Sequence, residues 1–316
     1  MLNELERPSY GCQGGDSYVG SVAYADDIIL LAPTIAALKN QVNIVENFAS
    51  ENCIKFNGSK SKLMYVGKSV NLSDICVKVN NERVEWCKNL NYLGHDISND
   101  RTKSDVIGIK KDFVRKFHSF SADMASLNSN LKSELFYKYC MSLYGVLFCE
   151  FSNKGEMDVI YKEWRKAMRR IWKLPYRTHG RFLSHIAECV PIDIELKQRF
   201  LRFFSKGIRN KNKIVNDIFS QSLCSQTRLG RNFRQIVMSV NGVNRRFLCD
   251  LSMLRSEFNY NMLSKTMYDE HRYNYDREDI RLSYQIKELI LIRDGLETSI
   301  LNSNECQIII DVLATM

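Results

Sequence analysis

The hydrophobic period of the chain changes near residue 100, and this change narrows the folds open to it. Up to about Ser98, apolar residues come in short runs separated by turn residues: "VGSVAYA", "IILLAP", "IKFNGSKSKLMYVG", "ICVKVNNERVEWCK" and "LNYLGHDIS". One segment there has helical spacing. In "TIAALKNQVNIVENFASEN", Ile35, Leu38, Val42, Val45 and Ala49 share a face, and Thr34 is placed to cap its start. Asn80-Asn81 suits a two-residue hairpin loop. Beyond Asp100, Val106, Ile109, Phe113, Phe117, Phe120 and Met124 recur at steps of three and four, and Leu131, Leu135, Tyr139, Leu143 and Val146 do the same. Prolines stand only at 8, 33, 175 and 191, so the later helices are interrupted mainly between 175 and 191. The pattern predicts an α+β chain: hairpin, helix, strand and small sheet, then an all-helical remainder.

With 316 residues, 45% hydrophobic and 26% charged, the chain is long enough to bury a real core. Its first residues, "MLNELERPSYGC", hold no apolar run, and no stretch approaches the roughly 18 apolar residues of a membrane span. The expectation is an intracellular protein of the nucleus, the cytoplasm or both, without a membrane partner. Ten cysteines are scattered with no C-x-x-C, so no zinc or redox motif is written here, and reduced, mostly buried thiols are expected.

The net charge of +9 is unevenly placed. From Val159 to Lys213 there are 15 Lys and Arg against 4 Asp and Glu, which leaves 30 against 32 elsewhere. Such concentration is the footprint of a surface that meets polyphosphate. Within "VIYKEWRKAMRRIWKL", Lys162, Arg165, Lys166, Arg169, Arg170 and Lys173 stack on one helical face, with Tyr161, Trp164, Met168, Ile171 and Trp172 opposite. An ordinary solvated face alternates in sign, and in this stretch only Glu163 does so. The six cations are therefore candidates for nucleic-acid binding.

"SVAYADDIILLAP" sets Asp26 beside Asp27 where two strand-like runs meet. Aspartate is a common turn residue, but a turn needs only one. Two neighbouring carboxylates repel unless a cation lies beside them, and hard divalent ions take oxygen ligands. Gly67-Lys68-Ser69 is not the end of a phosphate-binding loop, because position 62, where that motif needs glycine, is lysine.

"GCQGGDSYVGSVAYADDIILLAPT" resembles the segment around the Y/F-A-D-D motif of reverse transcriptases of non-LTR (LINE-like) retrotransposons. "FNGSKSKLMYVG" is similar to the Asn and Lys segment that follows, and "LNYLGHDIS" to the primer-grip hairpin. "SLYGVLFCEF" and "MRRIWKLPYRTHGRFLSHIAECVP" resemble the helical region beyond the palm. The resemblance implies a partial reverse-transcriptase palm over 1–100, a helical thumb-like region over 101–155 and a basic helical C-terminal region over 156–316. It implies two-metal nucleotidyl transfer with Mg2+ or Mn2+, Asp26 as the main ligand and Asp27 as an auxiliary one. Tyr24 would lie near the primer terminus, Lys60 or Lys62 near the incoming nucleotide's phosphates, and Tyr92, Leu93 and Gly94 would hold the primer. An RNA template and a DNA primer are the implied partners.

The family also carries an aspartate on an earlier strand. Only 25 residues precede Asp26, and none of Glu4, Glu6 and Asp16 matches it. The resemblance thus implies the C-terminal portion of an RNA-directed DNA polymerase, truncated before its fingers and first catalytic aspartate. Such a chain is expected to be inactive alone and to take a dNTP only if the missing parts are supplied. The alternative is a retrotransposon-derived, non-catalytic helical protein that binds RNA or DNA. A palm without its earlier strands is expected to leave an unpaired edge and exposed apolar surface. His95 is expected in an exposed loop, and His179 carries no assigned chemistry.

Overall fold

The change of period marks a change of element type in the computed structural model, which describes residues 5, 10–14, 17–67, 72, 74–100, 104–240, 256, 259–273 and 277–298. The strands are β1 (Gln13–Gly14), β2 (Ser17–Tyr18), β3 (Ser21–Tyr24), β4 (Asp27–Leu30), β5 (Lys62–Leu63), β6 (Lys78–Val79), β7 (Glu82–Arg83), β8 (Glu85–Trp86), β9 (Asn89–Tyr92) and β10 (His95–Ser98). The helices are α1 (Ile35–Glu51), α2 (Val106–Asp123), α3 (Ser129–Tyr139), α4 (Lys154–Ile171), α5 (Gly180–Ile186), α6 (Ile192–Ile208), α7 (Lys213–Cys224), α8 (Arg228–Met238), α9 (Tyr260–Tyr273) and α10 (Arg277–Thr298). The α+β reading therefore holds. The chain folds as two units, one built on Met1–Ser104 with Phe204–Arg231, the other on Asp105–Phe203 with the C-terminal helices.

In the first unit every sheet has two strands among the described residues: β1–β2, β3–β4, β6–β7 and β9–β10 are antiparallel and β5–β8 is parallel. A core of Val42, Leu63, Val77 and Val84 ties α1 to the strands, with Leu30, Leu38, Val79 and Trp86 packed against it. Thr34 caps α1, its hydroxyl accepting from the Ala37 N–H at 3.1 Å. Asn80 and Asn81, at φ 51° and 63°, make the β6–β7 turn, and positive φ at both central residues is the twist-matched hairpin geometry that asparagine tolerates. Helix α7 lies on β1 and β2, where the Ser17 hydroxyl donates to Asp217 at 2.6 Å.

The second unit is organised by Phe136, which is fully buried and meets Phe113, Phe117 and Phe120 of α2 edge-on at 6.0, 5.9 and 6.2 Å. The α2 stripe of Val106, Ile109, Phe113, Phe117 and Phe120 is buried as its spacing predicts. The next stripe is not. Helix α3 ends at Tyr139, and its buried face is Ser129, Ser133 and Phe136, while Leu131 and Tyr139 are exposed. Leu143 (φ 40°) and Gly145 (φ 88°) turn the chain, so Leu143 and Val146 reach the core from an irregular segment rather than along the helix. Asn232, also fully buried, pins that segment by accepting from the Phe151 N–H (2.9 Å) and donating to the Cys149 carbonyl (2.7 Å). At the N-terminus of α3, the Ser129 N–H donates to Asp294 of α10 at 2.9 Å.

Thiols are less uniformly buried than expected: among the described residues Cys140 and Cys149 are buried, whereas Cys53 and Cys224 are exposed. Burial raises the Cys140 thiol to about 11 and the Cys189 thiol to about 12. Raised values mean fewer thiolates at a given pH, so iodoacetamide at pH 8 should label Cys53 and Cys224 well before Cys140 and Cys189, read by peptide mass spectrometry. Phe136→Ala should cost about 3–5 kcal/mol in urea unfolding. Tyr139→Ala, on the exposed side of α3, should cost less than about 0.5 kcal/mol.

Candidate functional site

The aspartate pair sits at the tip of the β3–β4 hairpin. Tyr24 and Asp27 form its last cross-strand pair, leaving Ala25 and Asp26 as a two-residue turn. Ala25 has φ 53° and Asp26 has no positive φ, a pattern in which glycine is the favoured first residue. Holding an L-residue there costs roughly 1–2 kcal/mol, and such strain persists only where the surroundings impose it.

The base of the hairpin supplies that restraint. The Leu31 N–H donates to the Gly20 carbonyl at 2.7 Å, and the Cys12 N–H donates to the Leu31 carbonyl at 3.0 Å. Gln41, fully buried on α1, directs its amide NH2 at the Gly20 and Leu31 carbonyls (3.1 and 3.4 Å) and at the Tyr18 hydroxyl (3.3 Å). One side chain thus grips both ends of the hairpin. A Cβ on Gly20 would lie 2.2 Å from the Tyr18 hydroxyl and 2.6 Å from the Gly11 Cα, so the two backbones approach too closely for any other residue. The sequence signal for Gln41 was a lone amide inside the apolar stripe of Leu38, Val42 and Val45.

Asp26 and Asp27 are exposed, and neither side chain has a hydrogen bond or ion pair among the described residues. No third His, Cys, Asp or Glu joins them to complete a protein-only metal site among the described residues. Glu4, Glu6 and Asp16 lie outside those residues. The two adjacent carboxylates fit a hard divalent cation held through them, with its other positions left to water or phosphate oxygen.

The other predicted residues fall on neighbouring elements of the same unit. Lys60 is exposed and has no ion-pair partner among the described residues, whereas Lys62 pairs with Glu85 at 2.7 Å. That hydrogen bond and charge hold the Glu85 carboxyl below its usual range. Leu93 (φ 48°) and Gly94 (φ 77°) form the β9–β10 turn, with Tyr92 paired to His95. His95 is therefore a half-buried strand residue rather than an exposed loop residue. No hydrogen bond or ion pair joins the aspartates to Lys60, Lys62 or Tyr92 among the described residues. Val22, Tyr24, Leu93 and Ile97 are exposed, so both hairpins present apolar surface.

In the second unit the cations of α4 are more engaged than a uniform basic face would be. Lys162 and Arg165 both pair with Asp158 (2.8 and 3.0 Å), and Lys166 pairs with Glu163 (3.0 Å). Asp158 lies just before the basic stretch that begins at Val159, one turn ahead of Lys162. Arg169 donates through Nε and a terminal NH2 to the Thr178 carbonyl at 3.0 and 2.8 Å, and Lys173 lies 3.8 Å from Asp294. Arg170 is exposed with no partner among the described residues. His179 caps α5, its Nδ1 accepting from the Arg181 N–H at 3.3 Å.

Residues 1–97 match the reverse transcriptase (RNA-dependent DNA polymerase) family. That match contains the aspartate hairpin, Gln41, both lysines and the Tyr92-Leu93-Gly94 turn, and it ends where the strand-rich part of the chain ends. Comparison with curated proteins finds no match.

Gln41→Leu removes a buried donor from two carbonyls and should cost about 1–3 kcal/mol in chemical denaturation. Asp26→Asn, at an exposed position without a partner, should change stability by less than about 0.5 kcal/mol.

Proposed function

We propose that this chain is the C-terminal portion of an RNA-directed DNA polymerase of the non-LTR retrotransposon kind, in which Asp26 and Asp27 hold Mg2+ or Mn2+. The observation that carries this reading is the free aspartate pair at a hairpin tip inside the segment that matches reverse transcriptases. A bound divalent ion would supply charge neutralisation at phosphate and would lower the pKa of a primer hydroxyl. The residues of the chain would do the rest. Gln41 fixes the hairpin base, Tyr24 and the Tyr92-Leu93-Gly94 turn border the primer strand, and Lys60 is the lysine free to meet a nucleotide phosphate. The basic stretch from Val159 to Lys213 would bind the RNA template and DNA primer.

With two carboxylates and no third acid beside them among the described residues, the chain alone is expected not to extend primers. The same observation favours a second reading, a non-catalytic protein that binds RNA or DNA through its helical unit. Manganese binding, followed by electron paramagnetic resonance of the free ion, separates the two. In the first reading the wild-type chain binds Mn2+ weakly, Asp26→Asn with Asp27→Asn abolishes that binding, and RNA affinity changes less than about twofold because the contacts to phosphate lie elsewhere. Mn2+ binding that is absent, or unaltered by the double substitution, would leave the second reading.

A further inference from the structure

Helix α4 ends in a fixed geometry. Lys173 is left-handed (φ 49°), its N–H donates to the Arg170 carbonyl at 3.3 Å, and the Leu174 N–H donates to the Arg169 carbonyl at 2.8 Å. This pair of bonds is the Schellman closure of a helix, and Leu174 is buried beside it. The next four residues, Pro175 to Thr178, make a tight turn closed by the Thr178 N–H on the Pro175 carbonyl at 3.0 Å. Arg169 reaches across from α4 and sets two donors on the Thr178 carbonyl, at 3.0 and 2.8 Å. His179 then caps α5. The turn is held at both ends and from the side.

Its two central residues are Tyr176 and Arg177. Tyr176 is 80% exposed, more than any other large apolar or aromatic side chain among the described residues. The Arg169 guanidinium, fixed by the Thr178 carbonyl, lies over one face of the ring at 5.9 Å from its centroid, and the rest of the ring is left to solvent. Arg177 is exposed and has no partner among the described residues. Arg177 and Thr178 help to line a cavity of about 500 Å3 beside α4, with Arg165, Arg169 and Arg181, whereas the Tyr176 ring stands outside it. The local sequence has one sign of charge: between Glu163 and Glu188 there are 7 Lys and Arg and no acidic residue.

We infer that the Tyr176 ring is a stacking platform for one base of a single-stranded nucleic acid, with Arg177 on a neighbouring phosphate. Every base has a π-face, so an aromatic ring receives it without reading its sequence. The bases of a duplex are already stacked on one another, which restricts the platform to unpaired strand. A ring that the turn already holds loses little freedom when a base covers it, and the guanidinium behind it makes a second layer of the same stack. Tyrosine and arginine also serve protein interfaces, but a segment of 24 residues without a carboxylate favours a polyanion. The inference rests on the nucleic-acid reading of the helical unit, but not on the aspartate hairpin.

The test uses the full chain and two fluorescein-labelled strands of about 12 nucleotides, one with bases and one abasic, with anisotropy read over a range of salt concentrations. Tyr176→Ala should weaken binding of the base-bearing strand by about five- to a hundredfold, the worth of one stacked base, and leave its salt slope unchanged. Tyr176→Phe keeps the ring and should stay within about twofold of wild type. Neither Tyr176 variant should alter binding of the abasic strand, which has nothing to stack. Arg177→Ala should weaken binding of both strands and lower the slope of log K against log salt by about 0.7, the value for one phosphate contact to a single strand. Binding that is insensitive to Tyr176→Ala overturns the inference and leaves the turn to a protein partner. An equal loss on the abasic strand also overturns it, since the ring would then act on the fold and not on a base. No binding of either strand to the wild type overturns it together with the nucleic-acid reading of the helical unit. The hairpin proposal fails on Mn2+ binding instead, so the failures are distinguishable.

Discussion

One buried amide determines where the two aspartates stand. Gln41 lies on α1 inside an apolar face, and its NH2 group meets carbonyls at both ends of the β3–β4 hairpin. A two-stranded ribbon has little stability of its own, because each strand has a free edge and only one partner. Anchoring its base to a helix that is itself packed against Leu63, Val77 and Val84 converts the ribbon into a rigid lever with the carboxylates at the free end. The strained Ala25 turn depends on that anchorage, since a loosely held hairpin would relax to a geometry that alanine prefers.

The electrostatics of the two units follow opposite designs. Among the described residues Asp26 and Asp27 have no counterion at their exposed tip, where water screens their repulsion and a cation can reach both. Around α4 most of the positive charge is distributed among Asp158, Glu163 and backbone carbonyls, and among the described residues Arg170 and Arg177 are exposed cations without an ion-pair partner. Charges already paired on a surface contribute little to a salt-dependent attraction, so the few unpaired ones define where a polyanion is drawn.

The sequence was most informative where side-chain chemistry is repetitive. The α2 stripe was legible because phenylalanines at three- and four-residue steps can bury themselves only on one face. Helix α3 misled because its leucines suggest a face, while the single Phe136, received by three phenylalanines of α2, outweighs them and turns two serines inward. The Thr34 cap and the Asn80-Asn81 turn were legible because each is a local device with its own stereochemistry. Gln41 is hidden in the sequence because periodicity sorts residues by polarity and cannot distinguish a solvated amide from one that closes a hydrogen-bond network. The cavity lined by Arg165, Arg169, Arg177 and Arg181 is invisible in the sequence for another reason: its lining comes from three separate segments brought together by the turns near Pro175 and Pro191.

The bond between Ser17 and Asp217 joins residues 200 positions apart, and it fastens α7 to the strands that lead into the aspartate hairpin. At a synthesis rate of about 5–20 residues per second, the ribosome would need roughly 10–40 s to deliver Asp217 after Ser17. Throughout that interval β1 and β2 wait with one face uncovered. The base of the aspartate hairpin therefore rests on a contact that local folding does not supply, and the strands gain it only once a long loop has been closed.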